Sequence, residues 1–178
     1  ELAAAGPDAW RDLRGKVVGS VPQSAATSFT PVRTIGDQLD EVIGVLGSAH
    51  TAGELCDRVH LPRRALDRYP HEISGGMAQR AAIAAAIVAD PAVIVADEPT
   101  SALDPELAEG IWELFGDLAD AGAAVLVITH DMHSLLESGV ASSIAVMRSG
   151  TVVEQRDPVG LVSGNGSPYV RSFFEAVV

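Results

Sequence analysis

The chain has 178 residues, 12 basic against 24 acidic side chains, a formal net charge of -12 and a pI near 4.6. Apolar residues make up 47%, which excludes general disorder, and the longest unbroken apolar run, residues 81–89, is about half of a membrane-spanning helix. The single cysteine, Cys56, excludes an internal disulfide framework and a cysteine zinc site, and the acidic balance opposes a phosphate-backbone grip on nucleic acid.

No basic stretch followed by an apolar one occurs at Glu1-Leu2-Ala3, so no signal peptide is expected and a soluble, cytoplasmic domain is. Residues 1–15 are small and polar around Trp10 and read as a connection. Residues 16–21 (KVVGSV) form a β-branched run that predicts a strand, broken by Pro22-Gln23-Ser24, with a loop to Pro31. Thr34 caps a predicted helix with Asp37 three residues on, and Ile35, Leu39, Val42, Ile43 and Leu46 supply its stripe. Further helices are predicted over 51–59, with Leu55 and Val59 inward, and over 63–68. Tyr69-Pro70-His71-Glu72 ends that series, because the residue before a proline avoids helical dihedrals.

Ile73-Ser74-Gly75-Gly76 leads into an Ala-rich helix predicted over 77–89 and closed by Asp90-Pro91. Residues 92–96 are apolar throughout, as in a parallel strand buried on both faces. Asp104-Pro105 opens a helix striped by Leu107, Ile111, Leu114, Phe115 and Leu118 and stopped at Gly122. A second apolar strand covers 124–128, a short helix 132–137 and a third strand 144–147. Ser149-Gly150 turns into 151–154 as a hairpin, and the last helix starts near Pro168 with Val170, Phe173, Phe174 and Val177. This order predicts the second half of an α/β domain with a parallel sheet, preceded by a helical insertion.

Asp97 and Glu98 end the 92–96 strand, so two carboxylates sit at the carboxyl edge of a parallel sheet, where such folds bind ligands. Asp97 suits Mg2+ held through water, and Glu98 suits the base for an attacking water. An acidic loop or helix cap is the alternative. Ser74-Gly75-Gly76 can bring helix-terminal amides to a phosphate, or simply cap a helix. If it only caps, Gly76→Asp is expected to cost about 1 kcal/mol or less. His130 follows the 124–128 strand to the same edge, where a lone histidine is also compatible with a structural role. Gln23, past the first strand, carries the weakest isolated signal. The only lysine, Lys16, lies in Arg14-Gly15-Lys16-Val17, without the glycine loop or Ser/Thr of a phosphate-binding P-loop. Gly164-Asn165-Gly166 reads as a turn.

In order, Gln23, ISGGMAQR (73–80), AVIVADEP (92–99), SALD (101–104) and Thr129-His130-Asp131 resemble the Q-loop, signature, Walker B, D-loop and H-loop of ABC transporter ATP-binding subunits. TIGDQLDE (34–41), RYPHEISGGM (68–77), ADEPTSALD (96–104) and Ser167-Pro168-Tyr169-Val170-Arg171 are similar to the dipeptide, oligopeptide and nickel importer branch. Ser24-Ala25 and Ala78 depart from it, where Asp-Pro and Arg are common. The resemblance implies a P-loop NTPase-like, three-layer α/β core with an inserted helical subdomain. It divides the chain into 1–23 (end of the N-terminal core and Q-loop), 24–89 (helical subdomain ending in the signature helix), 90–160 (ATPase core) and 161–178 (C-terminal helix).

The same resemblance implies ATP and Mg2+ as cofactors. Asp97 and Gln23 would attend the metal, Glu98 would be general base, and His130 would contact the γ-phosphate. Ser74, Gly75 and Gly76 would clamp the γ-phosphate bound on a second ATP-binding subunit, in a homo- or heterodimer, and Asp104 would couple the two sites. Membrane-spanning permease subunits are the implied partners, a solute-binding protein only indirectly, and nucleic acid not at all. The implied location is peripheral, on the inner face of the cell membrane. Because Walker A is missing ahead of Gln23, the chain is expected to be a fragment that is inactive alone. The alternative is a non-hydrolysing module offering its signature motif to a P-loop-bearing partner. A soluble ABC ATPase acting on ribosomes or DNA is disfavoured by the acidic charge.

Overall fold

Three parallel strands, β1 (Val18–Val21), β2 (Val93–Asp97) and β3 (Ala124–Ile128), lie in the order β1-β2-β3 in a computed structural model that describes residues 6–163 and 166–175. Val21 pairs with Ala96, Ala96 with Val127, and Asp97 with Ile128, so all three strands run out at one edge. Short β-branched and small side chains suit this sheet because they pack on a pleated surface without crowding the turn before them.

Chain direction decides which face of the sheet is covered. Helix α5 (Gly75–Ala86) leads into β2, and α6 (Pro105–Asp120) leads from β2 into β3. Both crossovers step the same way across the sheet, and right-handed crossovers that do so place their helices on the same side. That side is buried at Gly19, Val21, Ile94 and Ala96. The opposite face stays open: Ser20, Asp97 and Ala124 are exposed, as are Leu126 (57%) and Ile128 (51%). The apolar strands are therefore not buried on both faces as their composition predicts, because composition does not report the direction in which strands are added.

The helical insertion follows its caps. In α3 (Ile35–Leu46) the Thr34 hydroxyl accepts from the Asp37 amide, and in α4 (Ala52–Arg58) Thr51 and Glu54 form a reciprocal capping box. Ile35, Leu39, Leu55, Cys56, Val59, Leu61 and Ala65 are buried, whereas Val42, Ile43 and Leu46 are only half-buried. Each fully buried Leu or Ile contributes about 1.5–3 kcal/mol. In α6, Asp104 caps the first turn, Pro105 occupies N1, and Ile111, Trp112, Leu114, Phe115 and Leu118 face inward.

Several local expectations are corrected. Residues 7–13 form a helix, α1 (Pro7–Leu13), with proline at its start and no buried residue. The loop after Gln23 contains a further short helix, α2 (Ala25–Ser28). The predicted helix over 63–68 is a 3-10 turn, Arg63–Ala65, followed by another at Pro70–Glu72. The Ala-rich helix begins at Gly75 rather than 77 and ends at Ala86 rather than 89.

The chain divides into two units, Glu1–Thr129 and His130–Val178. The second holds α7 (Met132–Ser138), the antiparallel pair β4 (Ile144–Arg148) and β5 (Thr151–Arg156), α8 (Pro158–Val162) and α9 (Pro168–Glu175). Among the described residues β4 pairs with β5, the hairpin that Ser149-Gly150 predicts. Ser149 and Gly150 turn the hairpin with positive φ at both positions, 50° and 78°, the geometry that matches strand twist. Arg148 stacks over the Tyr169 ring at 4.7 Å, and Leu161 and Val170 are buried. The side chains of Phe173 and Phe174, residue Val177 and the turn at Gly164-Asn165 lie outside what the structure describes.

Candidate functional site

The carboxyl edge of the sheet collects the first group of candidates. Gln23 lies two residues beyond Val21, and Asp97 ends β2 beside Ile128. Gln23 and Asp97 are exposed, and Glu98 is half-buried. Glu98 has φ 46°, a left-handed conformation that a non-glycine residue adopts at a cost. Its amide donates to the Ile128 carbonyl at 2.8 Å, and its carbonyl accepts from the Ser101 amide at 3.3 Å and hydroxyl at 3.0 Å. The turn is thereby held from both sides, with the strain located at the residue proposed as base.

Ser74-Gly75-Gly76 is a helix start. The Ser74 hydroxyl accepts from the Met77 amide at 3.3 Å, and its carbonyl from the Ala78 amide at 2.9 Å. Acting as acceptor in the cap leaves the hydroxyl proton available to a ligand, so cap and phosphate contact are not exclusive. Ser74 and Gly75 are exposed, but Gly76 is buried. A Cβ on Gly76 would lie 3.1 Å from Leu107 Cδ1, while one on Gly75 would find Leu103 at an ordinary 3.6 Å. Any larger residue at Gly76 therefore requires the exposed Leu107 side chain to shift by a few tenths of an ångström. The two residues play different parts, Gly75 toward solvent and Gly76 against α6.

Asp104 is exposed, and its Oδ1 accepts from the Leu107 amide at 3.0 Å. The Ser74-Gly75-Gly76 turn packs on the Ala102-Leu103-Asp104 turn and the helix that follows it. Ala25 and Ala78, the positions that depart from the importer branch, occur together in one buried cluster with Ala82, packed against Phe29 and Ile73. Small side chains at both positions let α2 lie close on α5. His130 opens the second unit; it is exposed, and its carbonyl accepts from the Met132 amide at 3.1 Å.

Lys16 precedes β1, at the amino end of the strand whose carboxyl end leads to Gln23. It belongs to the opposite edge of the sheet from Asp97. Among the described residues no group of three or more His, Cys, Asp or Glu could hold a metal ion. This donor set does not suit a protein-enclosed metal. It does suit Mg2+, which takes one or two protein oxygens and completes its shell with water and substrate phosphate. Sequence reasoning missed Arg80 and Gly110, which meet across α5 and α6; a glycine inside an apolar helical stripe was the available signal.

A family model described as ABC transporter matches residues 4–101. A Brucella melitensis protein that carries the name peptide import ATP-binding protein is 41% identical over 163 residues, covering 86% of this chain and 48% of its own. The oligopeptide transport ATP-binding protein OppD of Lactococcus lactis is 35% identical over 178 residues, covering 95% of this chain and 52% of its own. The chain therefore spans about half the length of these relatives. A solved ATP-binding cassette, in a dimeric post-hydrolysis state bound to ADP and Pi, superposes with a TM-score of 0.71 and 26% identity. That alignment covers 86% of this chain and 68% of the other. No helix among the described residues is long and apolar enough to cross a membrane. The family match spans more than half of the chain and the solved cassette has the same fold, so the chain belongs to the ABC transporter family of ATP-binding proteins.

Proposed function

We propose that this chain supplies the signature, Walker B, D-loop and H-loop part of an ATP-hydrolysing subunit that drives import of peptides, nickel or a similar small solute. The observation that carries this reading is the edge where Gln23, Asp97 and the strained Glu98 follow adjacent parallel strands. The names of the relatives support the solute class. The cassette solved as a dimer with ADP and Pi supports pairing of two subunits around nucleotide. Permease subunits in the membrane are the partners this function requires.

Mg2+, when bound with ATP, neutralises phosphate charge, and phosphoryl transfer is mostly positioning and charge neutralisation. Asp97, exposed at the strand end, is the carboxylate that would hold the metal through water, with Gln23 beside it. The Glu98 carboxylate takes the proton from the attacking water. Ser74, with its hydroxyl proton unused by the cap, and the exposed Gly75 amide face the γ-phosphate carried by the second subunit. Asp104 caps the helix that backs this turn and couples the two sites, and His130 contacts the γ-phosphate of the nucleotide that Glu98 serves. The adenine and phosphate cradle is not supplied by Lys16, which sits at the wrong edge. The Asp97–Glu98 edge serves nucleotide held by a P-loop in the same subunit, and the Ser74-Gly75 turn serves nucleotide held by the P-loop of the second subunit.

The test is ATP-dependent association with a P-loop-bearing cassette, measured by light scattering. Ser74→Ala and Gly75→Ala should each weaken association while the chain stays folded. Association unchanged in both variants would overturn the reading.

A further inference from the structure

Arg80 differs in its bonding from the surface arginines. Arg58 pairs with Asp90 and Arg63 with Asp57. Arg80 instead donates from Nη1 to the Val59 carbonyl at 2.8 Å and from Nη2 to the Gly110 carbonyl at 3.2 Å. Val59 follows α4, Arg80 lies in α5 and Gly110 lies in α6, so one half-buried guanidinium joins three helices. Burial pulls its pKa down from the ordinary value, with Glu113 opposing. Charge-assisted bonds of this kind are the stronger ones.

Gly110 is the counterpart that makes the tie possible. A Cβ there would stand 2.6 Å from Arg80 Nη2. Glycine inside a helix is unfavourable relative to alanine, so its presence in the apolar stripe of α6 calls for such a reason. The seam is continuous. One turn nearer the start of both helices, Gly76 abuts Leu107, and Gly75 lies under Leu103. Spacings of three and four residues put these pairs on the facing sides of α5 and α6.

We propose that Arg80 is a positioning residue that fixes the Ser74-Gly75-Gly76 turn against the Ala102-Leu103-Asp104 turn by tying α4, α5 and α6 together. The importance of that alignment for turnover rests on the reading of both turns as nucleotide-facing. With the tie in place, any rotation of α4 carries the signature turn and the D-loop turn with it. Without it, the two turns move independently while the sheet beneath them is undisturbed.

The test is amide hydrogen exchange on the full chain without nucleotide, for the parent, Arg80→Met, Arg80→Lys, Gly110→Ala and the double variant Arg80→Met/Gly110→Ala. Arg80→Met should raise exchange about tenfold at Met77, Ala78, Leu103 and Leu107, while residues 18–21 and 93–97 keep parental rates. Gly110→Ala should give the same local pattern by displacing the guanidinium. The double variant should be no worse than either single one, because the added methyl no longer meets a guanidinium. Arg80→Lys, with one ammonium for two carbonyls, should fall between parent and Arg80→Met. Uniform acceleration including the strands, no acceleration at the two turns, or additive effects in the double variant would overturn the proposal. If Arg80→Met does not fold, Gly110→Ala and Arg80→Lys decide by the same criteria. The association assay with Ser74→Ala tests the nucleotide reading separately, so the two failures are distinguishable.

Discussion

Gly19 of β1 lies against the backbone of Ala86 at the end of α5: a Cβ on Gly19 would approach the Ala86 carbonyl oxygen to 2.3 Å, with Pro91 Cγ at 3.0 Å. The obstacle is backbone and cannot turn aside. Gly19→Ala should therefore force β1 and α5 apart and cost about 1–3 kcal/mol, the range for overpacked interiors. Gly44, inside α3 with nothing within 4 Å of a built Cβ, is the control. Gly44→Ala should stabilise by about 0.5–1 kcal/mol. Denaturant melts of the two variants check both signs.

Asp90 predicts a pH dependence. Its carboxylate accepts from Arg58 and is shared with His50 Nε2, each at 2.6 Å. Burial pushes its pKa up, but the hydrogen bonds from His50 and Arg58 outweigh this and hold it below the ordinary value. A lowered carboxylate pKa gives stability that is present above the unfolded value, about 3.9, and is lost as pH falls through the folded value. Asp90→Asn should lower stability at pH 7 by less than about 1 kcal/mol, since the group is largely exposed. Asparagine tolerates the positive φ of 48° at this position, so the backbone is left alone. The difference from the parent should begin to shrink as pH falls below about 4 and vanish once pH is below the lowered folded value.

The signature turn separates fold from function by position. Gly76→Asp should lose about 1 kcal/mol relative to Gly75→Ala, because the Leu107 methyl groups at 3.1 and 3.2 Å must give way. Gly75→Ala meets only Leu103 at 3.6 Å and should keep the parental melting temperature. It should still weaken ATP-dependent association with a P-loop-bearing cassette, since the methyl group stands where backbone must approach phosphate. Melting and association measured on the same two variants check the division.

The strands, the caps at Thr34, Thr51 and Asp104 and the order of the candidate residues were legible because each has a local cause: β-branching, a side-chain acceptor three residues before an amide, or strand length. Which face of the sheet is open was not legible, because it depends on the direction of two crossovers and not on the composition of any strand. Helix α1 was missed because it buries nothing and so has no apolar stripe. The hairpin of β4 and β5 was legible for a local reason as well, because Ser149-Gly150 is a two-residue turn signal. The partnership of Arg80 with Gly110 joins positions thirty residues apart. No local rule reaches that far.

Glu98 carries a second, purely structural expectation. Its φ of 46° is a glycine-like conformation, so Glu98→Gly should gain about 1 kcal/mol of stability while removing the carboxylate. Glu98→Gln keeps the side-chain shape and should melt at the parental temperature. A stabilised glycine variant with no turnover is the pattern of a strained functional residue, and a thermal melt of each protein reads it.

The most direct measurement is steady-state ATP turnover by this chain joined behind a P-loop segment in one polypeptide, parent against Glu98→Gln, with nucleotide-dependent association followed in parallel. Loss of the base should reduce turnover by at least about 100-fold while association with ATP persists, because the phosphate-facing groups remain in place. Turnover near the parental rate in Glu98→Gln would contradict the account, since the water would then be activated by a residue other than the one that ends β2.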